Sequence, residues 1–193
     1  MTETEILEHF KKTNALLEGH FILSSGRHSS TYLQCALALQ CPRDAAKFGA
    51  AIAEKFAGQE FDGVVSPAIG GLVIGFAAAQ ALDIRFIWTE RENGAMTLRR
   101  GFTVAPNERF LVVEDVITTG GSTRECIAAI EKLGAKVTAG ASIIDRSNGA
   151  ADIGVPRVAL ATLEVESFTA EDCPMCEQGD VAVKPGSRIT PAA

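Results

Sequence analysis

The chain has no apolar run approaching 18 residues, so it offers no segment that would cross a bilayer as a helix. Its N-terminus, MTETEILEHF, is acidic and has no signal-peptide core, and a cytoplasmic protein without a membrane partner is expected. Basic charge is scarce: 18 Lys and Arg against 24 Asp and Glu leave a formal net charge of −6. That balance gives no support to a nucleic-acid partner. Five cysteines, Cys35, Cys41, Cys126, Cys173 and Cys176, are odd in number and scattered, which is not a disulfide framework. Cys173-Pro-Met-Cys176 is a lone C-x-x-C, half a zinc site, with only His9, His20 and His28 to complete it; a structural turn is the expectation there. Four signatures are also missing: G-x-x-x-x-G-K-[ST], G-x-G-x-x-G, G-x-S-x-G and H-E-x-x-H. Their absence argues against a Walker nucleotide site, a dinucleotide fold, an elbow serine and a zincin helix. Repeats and low-complexity tracts are lacking too.

What remains is 193 residues, 47% hydrophobic and 22% charged, enough for one soluble domain with a full core. Its organising stretch is RFLVVEDVITTGGSTRE, from Arg109 to Glu125. Phe110 to Val113 form a short apolar run suited to a buried parallel strand. Two acids, Glu114 and Asp115, end it. Val116 and Ile117 lead into a loop of small residues, Thr118, Thr119, Gly120 and Gly121, and helical spacing resumes at Cys126, Ile127, Ile130 and Leu133. Ser122 and Glu125 have capping-box spacing, which places the helix start at Ser122. A strand, a small-residue loop and a helix N-terminus make an anion cradle, because unpaired N–H groups and the helix dipole point at the loop. The carboxylates must then face something else, such as sugar hydroxyls or a cation carried by the ligand.

VVEDVITTGGST resembles the 5-phosphoribosyl 1-diphosphate (PRPP) motif of type I phosphoribosyltransferases. The resemblance implies that family's α/β fold: a central, mostly parallel sheet flanked by helices, with a small hood subdomain. Boundaries follow as one domain over 1–193, with a core of about 42–168 and a hood from 1–41 and 169–193. FILSSGRHSSTYLQC is similar to the N-terminal segment of orotate phosphoribosyltransferases, where a Ser-Gly-Arg turn and the next strand help cover the base. Here Ser24 stands where that family commonly has Lys, and Tyr32 and Leu33 where it has paired aromatics. Tyr32 is either a stacking surface for a flat base or a half-buried hairpin tyrosine.

Read in order, residues 4 to 18 place Ile6, Leu7, Phe10, Asn14 and Leu17 on one helical face, with Gly19 as the stop. Strand, turn and strand follow over Phe21 to Gln34. A helix is expected over Pro42 to Phe56, a strand within Phe61 to Ala68, a turn at Ile69-Gly70-Gly71, and an apolar helix to Leu82. Gly70 stands where the family usually carries Lys. RFIWTERE and AMTLRRGF flank Asn93-Gly94, a strong hairpin signal. The hairpin projects Arg91, Arg99 and Arg100 with Glu90 and Glu92, as a charge-mixed solvated ribbon or as a lid whose guanidinium forks close on a diphosphate. It resembles the mobile loop of the orotate enzymes, which reaches the neighbouring site in a homodimer. Lys136 to Ile144 reads as a strand ending in Asp145-Arg146-Ser147. At that end Arg146 faces a ligand crevice or pairs with Asp145 or Asp152. Val158 to Phe168 alternates like an edge strand, and Thr169 to Ala193 has no clear period.

The resemblance implies transfer of the 5-phosphoribosyl group from PRPP to orotate, with Mg²⁺ held mainly by the ligand and not by a protein metal site. Val116, Ile117 and Thr118 to Ser122 would line the 5′-phosphate. Glu114 and Asp115 would hold the ribose hydroxyls, Arg91, Arg99 and Arg100 the diphosphate, and Thr118, Arg146 and Tyr32 the base. A purine-type phosphoribosyltransferase and a PRPP-sensing regulator without catalysis are the alternatives.

Overall fold

The structure, a computed structural model, describes residues 1–23 and 26–185. Ser24 and Ser25 of the Ser-Gly-Arg turn, and the tail beyond Pro185, lie outside the described residues. The elements are α1 (Glu3–Lys12), β1 (Leu16–Ile22), β2 (His28–Leu33), α2 (Cys35–Ala38), α3 (Pro42–Lys55), β3 (Gly63–Pro67), α4 (Gly71–Leu82), β4 (Arg85–Glu92), β5 (Ala95–Leu98), β6 (Arg109–Ile117), α5 (Gly121–Glu131), β7 (Lys136–Asp145), β8 (Arg157–Thr162) and α6 (Pro174–Glu177). Six strands form one sheet in the order β5-β4-β3-β6-β7-β8. All its pairings are parallel except β4 with β5.

β6 lies inside that sheet, and Phe110, Leu111, Val112 and Val113 are all 0% exposed. Alternate residues leave opposite faces. Leu111 and Val113 join a core with Ile6 and Phe10 of α1, Phe48 and Ile52 of α3 and Ile74 of α4. Phe110 and Val112 join a second core with Cys126, Ile127 and Ile130 of α5. Helices on both faces explain why the strand reads as an unbroken apolar run. Each such side chain contributes roughly 2 kcal/mol by leaving water.

The Asn93-Gly94 hairpin forms as the sequence indicates: both residues have positive φ, 51° and 85°, and Glu92 pairs with Ala95 across them. β8 is the sheet edge, as its alternation suggests, but it ends at Thr162 and not at Phe168. The opening helix is shorter than its apolar spacing implies. α1 stops at Lys12 with Thr13 as C-cap, Leu17 sits in β1 opposite Tyr32, and Gly19 is a strand residue beside an irregularity in the pairing. Spacing at i+3 suited Leu17 to a helix, but pairing with β2 decides its state. The small β1–β2 sheet is tied to the C-terminal segment by bridges from Phe21 to Val183 and from His28 to Phe168.

Candidate active site

β6 delivers Glu114 and Asp115 to the carboxyl end of the sheet, and the chain then turns through Thr118 and Thr119 into α5. Gly120 is the N-cap of α5, with φ 73°, and a Cβ there would stand 2.8 Å from Ile153 Cγ2. Both the left-handed backbone and the close approach demand glycine. The helix therefore begins at Gly121, and no side chain caps it. This corrects the expected capping box: Ser122 lies inside the first turn, and Glu125 is drawn to Arg91, 2.5 Å away. The first helical bond runs from Arg124 N–H to Gly120 O at 2.9 Å, so the amides just before it have no intrahelical acceptor. They face a cavity of about 270 Å³ lined by Gly70, Glu114, Asp115 and the run from Val116 to Thr123. Free amides and the helix dipole suit that cavity to an anion.

Pro67 and Ala68 also line this cavity, and nothing in their residue types signalled it. A Cβ on Gly70 would lie 2.8 Å from Asp115 Oδ1 and 2.9 Å from Oδ2. The carboxylate of Asp115 thus occupies the space a side chain at position 70 would need.

Two neighbouring acids beside an anion cradle are tolerable only if their charge is limited. Glu114 is 7% exposed. Burial, and then the charge of Asp115, push its pKa up to about 9 from its ordinary value of 4.5. Burial raises Asp115 too, against hydrogen bonds from Glu114 and from the Val116 amide, which donates to Oδ1 at 2.8 Å. Near neutral pH Glu114 therefore holds its proton, which limits the negative charge beside the cradle.

A second cavity of about 620 Å³ shares Asp115, Val116, Thr118 and Thr119 with the first. Its far wall carries Tyr32 and Arg146, together with Ile22, Arg27 and Lys184, which sequence reasoning had not placed there. Tyr32 lies 5.8 Å from the Phe21 ring at 44°. Arg146 has a buried Nε with no hydrogen-bond partner among the described residues, and burial pulls its pKa below the ordinary arginine range. The expected alternative partners are engaged elsewhere. Asp145 accepts from Ser147 Oγ at 2.6 Å, Gly149 N–H at 2.9 Å and Arg157 Nη1 at 3.0 Å; Asp152 Oδ1 accepts from the Gly154 amide at 2.8 Å. Burial pushes Asp145 up, yet these donors outweigh it and hold the carboxyl below its usual range. Arg157 takes the ion pair, which leaves the Arg146 guanidinium for a ligand.

The three hairpin arginines line neither cavity. Arg91 pairs with Glu125, Arg99 with Glu92 at 3.2 Å, and Arg100 makes a fork to Glu90 at 2.7 and 3.0 Å. Hydrogen bonds from Arg100 and Trp88 hold Glu90 down at about 2. In this arrangement the ribbon's own acids neutralise Arg99 and Arg100, and Glu125 of α5 neutralises Arg91.

Outside both cavities, the Cys173/Cys176 pair is not alone: His20 and His28 converge on it, with one donor atom from each of the four residues within 4.8 Å of the others.

No protein-family model matches the chain. A protein of Pelotomaculum thermopropionicum named orotate phosphoribosyltransferase is 54% identical over 188 residues, covering 97% of this chain and 99% of the relative. One of the same name from Thermotoga maritima is 49% identical over 183 residues, covering 95% and 98%. Among solved structures, orotate phosphoribosyltransferase from Aeropyrum pernix superposes with a TM-score of 0.67 at 29% identity, over 82% of this chain and 93% of that one.

Proposed function

The chain belongs to the orotate phosphoribosyltransferase family, and from that premise we propose how its cleft performs the transfer. The enzyme is a pentosyltransferase of pyrimidine biosynthesis; the membership disfavours both a purine-type activity and a regulator without catalysis. Its substrates are PRPP and orotate, and its products orotidine 5′-monophosphate and diphosphate. We read it as one phosphoribosyltransferase domain, with a core of about 42–168 and a hood from 1–41 and 169–193, working in the cytoplasm. The observation that carries the reading is one continuous cleft, with free helix amides at one end and an unpaired, half-buried arginine at the other.

Breaking the bond from C1 to diphosphate builds positive charge on the ribose and negative charge on the leaving group, so the protein's task is positioning and charge compensation. The amides and hydroxyls from Thr118 to Ser122 bind the 5′-phosphate, with Val116 and Ile117 forming the strand end beneath it. Asp115 and Glu114 accept from the ribose 2′- and 3′-hydroxyls. Asp115 supplies the negative charge that favours a cationic ribosyl, while the proton on Glu114 keeps the phosphate end from being repelled. Arg146 grips a carboxylate or carbonyl edge of orotate, beside Thr118, and Tyr32 offers its ring to the base.

Two carboxylates are too few oxygen donors for a resident Mg²⁺ site. They fit an ion that arrives on the ligand, which Glu114 and Asp115 would share. When bound, that ion would neutralise the diphosphate.

Arg91, Arg99 and Arg100 must leave their glutamates to meet a diphosphate. Exchange of one acidic partner for another is a modest rearrangement on an exposed ribbon, since such pairs contribute little each. A homodimer, with the ribbon reaching the neighbouring site, is supported by apolar surface next to the ribbon's root: Val73 and Phe76 of α4 are 48% and 60% exposed. They border a groove of about 510 Å³ that also holds Trp88. Incubation with PRPP, Mg²⁺ and a panel of orotate, uracil, adenine, hypoxanthine and xanthine tests the proposal. Product from orotate alone is expected; turnover of a purine, or PRPP binding with no product from any base, contradicts it.

A further inference from the structure

The four donors at Cys173 and Cys176 come from opposite ends of the chain. His20 lies in the irregular stretch of β1 and His28 opens β2, while Cys173 and Cys176 flank the start and third position of α6. His20 Nε2 is 2.8 Å from His28 Nδ1, 3.4 Å from Cys173 Sγ and 3.8 Å from Cys176 Sγ, and Cys176 Sγ is 3.3 Å from His28 Nδ1. An ion bound tetrahedrally by two imidazoles and two thiolates sets N···S at about 3.6 Å and N···N at about 3.3 Å. The three N···S separations straddle that value, and the imidazoles need to part by only about half an ångström.

The far side of His20 fits the same reading. Its Nδ1 is 3.0 Å from the Asp180 carbonyl oxygen. A carbonyl only accepts, so the proton resides on Nδ1 and the Nε2 lone pair points into the cluster. That is the support a metal-bound imidazole ordinarily has. His20, His28 and Cys173 are 7%, 8% and 0% exposed, so three of the four ligands are already withdrawn from water.

The location calls for a staple. Among the described residues between 17 and 34 and between 162 and 185, Cys173 is the only apolar side chain that is fully buried. A two-stranded ribbon with so small a core is marginal by itself. Its backbone ties to the tail are few: Val183 N–H to His20 O at 2.9 Å, Ile22 N–H to Val183 O at 2.8 Å, and a reciprocal pair between His28 and Phe168 at 2.9 and 2.8 Å.

We propose that His20, His28, Cys173 and Cys176 bind a structural Zn²⁺ ion that fastens the β1–β2 ribbon to the C-terminal segment. Two thiolates and two imidazoles in a closed set leave no position for substrate water, which marks a structural site, and this donor set suits a tetrahedral, redox-inert ion. None of the four residues lines either cavity, but Ile22 and Arg27 of the same ribbon do, so the ion also fixes one wall of the base site.

The full chain, purified under reducing conditions without chelator, is expected to carry one zinc per chain by elemental analysis. After zinc is stripped with a chelator, Co²⁺ should give the intense visible bands of a tetrahedral site and a thiolate-to-cobalt charge transfer in the near ultraviolet. Zinc at a free concentration a hundredfold above its Kd should raise the melting temperature by about 5–10 °C. Cys176→Ser should weaken retention and diminish the charge-transfer band. If that variant does not fold, the wild-type cobalt titration decides alone. Failure of the reduced protein to take up either ion, or an octahedral cobalt spectrum without charge transfer, overturns the proposal. Metal content and spectra are read without catalysis, so their failure leaves the assignment of the cleft untouched.

Discussion

Arg146 follows Asp145 in the chain and Arg157 reaches it from the next strand as an ion pair, and their replacement by alanine should have opposite consequences. Arg146 has a buried Nε without a partner among the described residues, and burial disfavours its charge. Removing it from the empty enzyme breaks no ion pair. The change in stability should stay within the surface range of about 0.5 kcal/mol, or about 2 °C in Tm for a chain of this size. The loss comes on binding. One charge-assisted hydrogen bond to an anionic ligand contributes about 1.5–3 kcal/mol, so KM for orotate should rise about tenfold to a hundredfold while KM for PRPP changes little. Arg146→Lys should recover only part, because an ammonium cannot reproduce the fork. Arg157 is the contrast. Its side chain and that of Asp145 are 11% and 5% exposed, and deleting one member of a buried pair costs about 3–5 kcal/mol. Asp145 keeps the Ser147 and Gly149 donors, so the low end of that range applies, a fall of about 6–12 °C in Tm. Steady-state kinetics in both substrates and thermal melts of the two variants check this. An unchanged orotate KM in Arg146→Ala, or a melting loss as large as that of Arg157→Ala, would refute the reasoning.

Asp115→Asn and Arg99→Ala should each reduce kcat by at least about tenfold at unchanged fold, measured by product formation and circular dichroism; wild-type turnover in both contradicts their roles. Glu114→Gln tests the buried proton. Because folding raises the pKa from 4.5 to about 9, the folded state keeps a proton that the unfolded chain loses, and wild-type stability falls as pH rises through that window. The Tm of Glu114→Gln relative to wild type should therefore be near parity below pH 4.5 and grow towards pH 9, with a pH-independent difference as the contrary result. Gly120→Ala forces a Cβ into a φ of 73° and to 2.8 Å from Ile153 Cγ2, a strain of roughly 1–2 kcal/mol before the clash. KM for PRPP should rise several-fold more than KM for orotate, and equal effects on both would count against the phosphate cradle.

The sequence alone determined whatever is settled within a dozen neighbouring residues. An apolar run, two acids, four small residues and a helical period already define a strand delivering carboxylates to an anion nest, because backbone geometry and the helix dipole are local properties. Asn93-Gly94 likewise fixes its hairpin, since positive φ at two consecutive positions is a property of those residues. Local spacing misjudged α1 and the cap of α5. In both cases a partner distant in sequence, Tyr32 opposite Leu17 and Arg91 beside Glu125, outbid the local preference. Only the tertiary structure decided which arginine beside Asp145 is free, since Asp145-Arg146 adjacency says nothing about Arg157 arriving from the next strand. Only it decided that Glu114 keeps a proton, because desolvation is the summed effect of every group that excludes water. And only folding could bring His20 and His28 to Cys173 and Cys176, since ligand convergence across some 150 residues is written in no local pattern.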